Sequence, residues 1–131
     1  SVAIRFHTNQ DCAEALEKLR TLCDTVETPG TRCALAPLVG FPAMEETERT
    51  TELFEVYRSA SEALGLGSPG TVYSAGCSDS AYTTALGIPT LCAVGVLGEG
   101  QHSVHEHAQI ASLLTQAKRL TAAILTLPDT F

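Results

Sequence analysis

A chain of 131 residues is long enough to bury a core of single-domain size, and 44% hydrophobic with 18% charged residues is a globular composition, neither disordered nor low-complexity. Fifteen acidic against eight basic residues leave a net charge of −7, which repels a phosphate backbone and excludes nucleic acid as a partner. No apolar run approaches the roughly 20 residues that span a bilayer and no basic-then-apolar leader opens the chain, so the expectation is a cytoplasmic protein without a membrane partner, any signal peptide lying upstream of Ser1.

In chain order, "SVAIRF" alternates as a strand does, although it begins at residue 1 without a turn signal. An abrupt first strand suggests chain before it. "HTNQD" offers Asn and Asp as caps, and Leu16, Leu19, Cys23 and Val26 then recur at helical spacing until "TPG". "TRCALAPLV" reads as a second strand, with Pro37 favouring an edge or a bend. Gly40 and Pro42 break the pattern in "GFPAMEETERT", where Thr47 or Thr50 can start the next helix.

That helix carries Leu53, Val56, Tyr57, Ala60 and Leu64 on one face and stops at "GLGSPG". "TVYSAG" follows as a short strand, "SDSAYTTAL" as a helix capped by Ser78 or Asp79, and "GIPTLCAVGV" as the continuous apolar run of a buried parallel strand. Ile110, Leu113, Leu114, Ala117, Leu120, Ile124 and Leu127 predict a long closing amphipathic helix. The sum is an α/β chain: a strand–helix–strand unit, then the edge of an α/β sheet with flanking helices. Five cysteines at scattered spacings, with no C-x-x-C pair, argue against a disulfide framework or a zinc ribbon and read as buried free thiols.

Three of the four histidines fall within "LGEGQHSVHEH". His102 follows Gly-x-Gly, on a backbone that can pass close to a ligand after a parallel strand. From the residues alone it serves equally as a metal ligand or as a solvated side chain. His105 and His107, three and five residues on, start toward different faces, and both read as solvent-facing. No cysteine nearby completes the four ligands of a structural zinc.

Taken together, "FPAMEETERTTELF", "GCSDSAY", "LGIPTLCAVGVLGEGQHSVHE" and the closing helix resemble the di-zinc aminoacylase and carboxypeptidase G-like exopeptidases, a family that includes acetylornithine deacetylase, succinyl-diaminopimelate desuccinylase and peptidase T. The likeness covers essentially the whole chain. It implies that residues 1–47 are part of a lid and dimerisation domain and 48–131 the C-terminal part of a zinc-exopeptidase-type catalytic domain. It further implies that His102 ligates one of two zinc ions, replaceable by cobalt or manganese, and that Gly76, Ser78 and Asp79 line a pocket for a small peptide or N-acyl amino acid. Glu106 matches the acid that follows the histidine.

The rest of the family's metal centre is not in these residues. There is no H-x-D, and Glu45-Glu46 lies in the Pro-rich crossing rather than between an apolar strand and a Gly-Ser turn, so it is not read as the catalytic pair. No catalytic residue is assigned to the chain. Phe41 stands where several relatives carry a carboxylate-gripping Arg; Arg32 and Arg49 are the nearby alternatives. His7 is not read as a substitute for the lid histidine of relatives. The expectation is the C-terminal part of a di-zinc amide or peptide hydrolase, inactive alone, its partner either the missing N-terminal half or a second subunit. The alternative is a non-catalytic association module derived from the same fold.

Overall fold

The computed structural model describes residues 2–25, 28–36, 40–129 and 131. Four helices and one two-stranded sheet follow in the order α1 (Asn9–Asp24), α2 (Glu48–Ala63), α3 (Ser80–Ala85), β1 (Gly98–Glu99), β2 (His107–Ala108) and α4 (Ile110–Leu125). They belong to two compact units, one of Ser1–Glu45 with Tyr73–Ile88 and one of Glu46–Val72 with Pro89–Phe131.

In the first unit, α1 starts at a reciprocal cap. Thr8 Oγ1 accepts the Asp11 amide at 3.0 Å and an Asp11 carboxylate oxygen accepts the Thr8 amide at 3.0 Å, satisfying two donors that every helix start leaves open. Asn9, expected as a cap, instead ties the helix to the crossing segment: Glu45 accepts both its amide (2.7 Å) and its side-chain nitrogen (2.9 Å), and its oxygen accepts from the Ala43 amide (2.8 Å). Leu16, Leu19 and Cys23 share the half-buried face that their spacing predicts, while Val26 lies outside the described residues. Beside them, His7 stacks on Tyr73 at 4.6 Å and Arg5 donates to the Ala75 carbonyl at 2.8 Å.

In the second unit, α2 is capped by Thr47, whose Oγ1 accepts the Thr50 amide at 3.1 Å. It buries Tyr57, Ala60 and Ser61 against α4, where Ala123 completes a small core and Leu91, Val94 and Ala122 pack around it. Leu64, expected on the same face, is half exposed because it is the cap residue beyond the last turn. Here the chain reverses through Gly65 at φ +67°: Gly65 donates to the Glu62 carbonyl and Leu66 to that of Ser61, the paired closure of a left-handed helix end. Gly87, at φ +78°, closes α3 the same way onto Thr83 and Thr84.

The expected strands need correction. Among the described residues, the segments at 1–6, 31–39, 71–76 and 87–96 carry no ladder; residues 1 and 37–39, including Pro37, lie outside the description. A period-2 pattern specifies which side chains are apolar, but a strand also needs a neighbour to receive its N–H and C=O groups. In the 87–96 run the backbone itself departs from extension, since Ala93 sits at φ +57°. The mixed helix and sheet content stands, with the sheet reduced to the antiparallel pairs Gly98↔Ala108 and Glu99↔His107.

The closing helix appears where expected, with its faces exchanged. Ser112, Gln116 and Ala123 are buried, whereas Ile110, Leu113, Leu114 and Ile124 are more than half exposed. Hydrogen bonding explains the choice. Arg119 donates to Ser61 Oγ (2.9 Å), to Gln116 Oε1 (2.8 Å) and to the Leu66 carbonyl, and Gln116 donates to the Gly95 carbonyl (2.8 Å). Ser61, fully buried, passes its own proton to the Gly67 carbonyl at 2.6 Å. The guanidinium thereby lies just past the C-terminal end of α2, against the Leu66 carbonyl, where the helix dipole favours a cation.

Candidate functional site

His102 stands in a short loop between β1 and β2. Gly98 N-terminal to it pairs with Ala108, and a Cβ on Gly98 would collide with the His107 carbonyl. A Cβ on Gly100 would lie 2.8 Å from the His105 carbonyl, on a residue already at φ +73°. The glycines thus serve a close approach, as their pattern suggests, here to the returning limb of the hairpin.

Within the loop, Ser103 is the organiser. Its amide and its Oγ both donate to the Gly100 carbonyl (3.1 and 2.7 Å), and the same Oγ accepts the His105 amide at 3.1 Å. Gln101 reaches back to the Gly98 carbonyl at 3.2 Å and the Glu106 amide to Ser103 at 3.2 Å. These bonds hold His102 at φ +64°, a left-handed angle uncommon for a residue with a side chain. His102, His105, Glu106 and His107 are all exposed. His107 Nδ1 lies 3.0 Å from the His105 carbonyl, so that nitrogen is engaged within the loop.

The hairpin stem is fastened to α4. Ser112 Oγ accepts the Leu97 amide at 2.9 Å and donates to the Gln109 carbonyl at 2.7 Å, while the Gln109 amide donates to the Leu97 carbonyl at 2.8 Å. Every link from α2 through Arg119, Gln116 and Ser112 to the loop is polar. A hydrophobicity pattern is blind to such a chain.

Gly76, Ser78 and Asp79 lie in the first unit, at the start of α3. Gly76 donates its amide to Ser74 Oγ at 3.1 Å. Ser78 Oγ accepts the Ser80 amide at 3.3 Å and meets Ser80 Oγ at 3.2 Å, while Asp79, the cap residue by position, makes no side-chain cap bond. Ser78 therefore does the local work of a helix start. Phe41 packs on Tyr82 with ring centroids 5.3 Å apart, and the Arg49 guanidinium lies 5.6 Å from the Phe131 ring centre. Glu45 and Glu46 are both engaged as local acceptors, Glu45 from Asn9 and Glu46 from the Thr51 hydroxyl at 3.2 Å.

The cysteines also need correction. None of the five is in a disulfide, but they are half-buried (Cys12, Cys23) or exposed (Cys33, Cys77, Cys92) rather than buried. The Cys23 and Cys33 thiols share one hydrogen bond, sulfur to sulfur 2.8 Å. That hydrogen bond, with burial behind it, holds the Cys23 thiol above its ordinary pKa. Ten residues of separation hid this pair from a reading tuned to C-x-x-C.

A catalytic zinc takes three protein ligands and keeps one position open. Among the described residues, no three His, Cys, Asp or Glu side chains gather closely enough to hold an ion. These residues do not fit a complete metal centre, and no catalytic step is derived through one. No helix among the described residues is long and apolar enough to cross a membrane.

No curated protein and no solved structure gives a significant match to the chain. A sequence profile does: that of peptidase family M20/M25/M40 matches residues 13–126, from α1 through the histidine hairpin to the end of α4. The chain belongs to peptidase family M20/M25/M40.

Proposed function

We propose that this chain is the C-terminal part of a metal-dependent amide or peptide hydrolase, an exopeptidase or N-acyl amino acid deacylase, to which it contributes His102 as one ligand of a two-zinc centre. The family match over residues 13–126 carries the reading. The hairpin supports the role of His102, because an exposed imidazole held on a left-handed backbone by a network of short-range bonds is strain of the kind functional sites retain. The remaining ligands come from outside these residues, and cobalt or manganese can stand in for zinc. Gly76, Ser78 and Asp79 contact a small peptide or N-acyl amino acid in the complete enzyme, with Phe41 making the grip on a free α-carboxylate different from that of an arginine.

The test compares two polypeptides. Supplied with zinc, cobalt or manganese, the 131-residue chain alone turns over neither dipeptides nor N-acyl amino acids, whereas the longer polypeptide encoded with it does. In that polypeptide His102→Ala lowers the metal content by one ion and activity on the order of 100-fold or more, beyond the loss of an outer-shell partner. His105→Ala and His107→Ala change little. A reading frame that starts near Ser1, or turnover by the rigorously repurified short chain, overturns the proposal. The exposed apolar face of α4 favours one second reading, an association module without a metal centre, and a native start near Ser1 would select it.

A further inference from the structure

We propose that Cys23 and Cys33 are a redox couple that closes to a disulfide within the first unit. The two sulfurs are 2.8 Å apart, well inside ordinary contact between non-bonded sulfurs and about 0.8 Å from the S–S bond length of about 2.05 Å. They sit on different pieces of backbone: Cys23 in the last turn of α1, Cys33 in the segment after the Gly30 turn at φ +80°. α1 is fixed at its other end by the Thr8–Asp11 cap and by Glu45, so its last turn is presented by a helix anchored elsewhere. Cys33 is exposed and Cys23 half-buried, an arrangement in which an incoming reagent meets Cys33 first and Cys23 is positioned to resolve.

The oxidant is a small-molecule disulfide of the glutathione type. The Cys33 thiolate attacks one of its sulfurs, forming a mixed disulfide and expelling one glutathione thiolate, which takes up the proton that Cys33 lost. Cys23, as thiolate, then attacks the Cys33 sulfur and expels the second glutathione thiolate, protonated in the same way. Two protein thiols are oxidised to one disulfide, and one glutathione disulfide is reduced to two thiols.

Trypsin makes the product easy to read, because Arg32 lies between the two cysteines. Cleavage after Arg20, Arg32 and Arg49 places Cys23 in residues 21–32 and Cys33 in residues 33–49, so the bond appears as a cross-linked pair of these peptides. Equilibrated with reduced and oxidised glutathione, the folded chain yields that pair while Cys12, Cys77 and Cys92 appear only as thiols or as single glutathione adducts, in no cross-linked peptide. The equilibrium constant is at least about tenfold higher in native buffer than in concentrated guanidinium, where only loop closure favours the bond. Cys23→Ser leaves a persistent glutathione adduct on Cys33, and Cys33→Ser slows modification of Cys23. Equal constants in the two solvents, scrambled pairing in native buffer, or a lasting adduct on Cys33 of the unmutated chain each overturn the proposal.

Discussion

His102 carries its imidazole on a backbone angle that costs an L-residue free energy, and a glycine at this position would adopt the same angle without that cost. His102→Gly should therefore stabilise the hairpin by about 1 kcal/mol, read as a rise in the denaturant midpoint, while removing the side chain proposed as a metal ligand. Gly98→Ala and Gly100→Ala act in the opposite sense: each Cβ meets a carbonyl of the returning limb, and a loss of about 1–3 kcal/mol is expected. At this scale the sequence was legible where Gly98 and Gly100 precede His102, since glycines at that spacing mark a loop whose backbone makes a close approach. It did not show that the glycines approach the hairpin's returning limb, because spacing does not say which atoms lie opposite. It was silent on Cys23 and Cys33, which meet only after a helix end and a turn.

Among the elements, α1 and α4 respond to different agents. Thr8, through its hydroxyl first and its amide second, holds the Asp11 carboxyl below the usual carboxylate range. A depressed folded-state pKa means that the contribution is present above the unfolded value and is lost as pH falls through the folded one. Helix α1 should thus loosen at acid pH, and Asp11→Asn should abolish that part of the pH dependence followed by amide exchange in residues 9–13. In α4 the sensitive atom group is the guanidinium of Arg119. Arg119→Met strips Ser61, Gln116 and Leu66 of a shared donor and should cost roughly 2–4 kcal/mol in chemical denaturation. The helices were legible from their apolar spacing, from Thr47 at one start and from the glycine at 65 at one end, whereas the cap of α1 fell to Thr8 beside the Asn and Asp that the sequence offered. Which face of α4 turns inward was not, since apolar periodicity names Leu113 and Ile124 while the bonds of Gln116 and Arg119 draw in the other side.

For the molecule as a whole, the outward face of α4 is its largest uncommitted feature. Ile110, Leu113, Leu114, Ile124 and Leu125 are each more than half exposed along one helix, and contiguous apolar surface of this kind drives association. The chain by itself should sediment as concentration-dependent oligomers, and Leu113→Glu with Ile124→Lys should return it to a monomer without lowering its helix content. A monomer at high concentration before substitution would refute that expectation. The family could be named because its motifs are local runs of residues, whereas strands depend on partners that no local run contains.

Ser112 joins two time courses that would otherwise be independent. Its one hydroxyl serves the Leu97 amide on the hairpin stem and the Gln109 carbonyl at the head of α4. Whenever the first turn of α4 frays, the stem loses its clasp in the same event. The Leu97 and Gln109 amides should then exchange with solvent deuterium at one common rate, and in Ser112→Ala that rate should rise for both. The dwell time of the His102 imidazole in its place on the hairpin is, on this account, set by the breathing of a helix end.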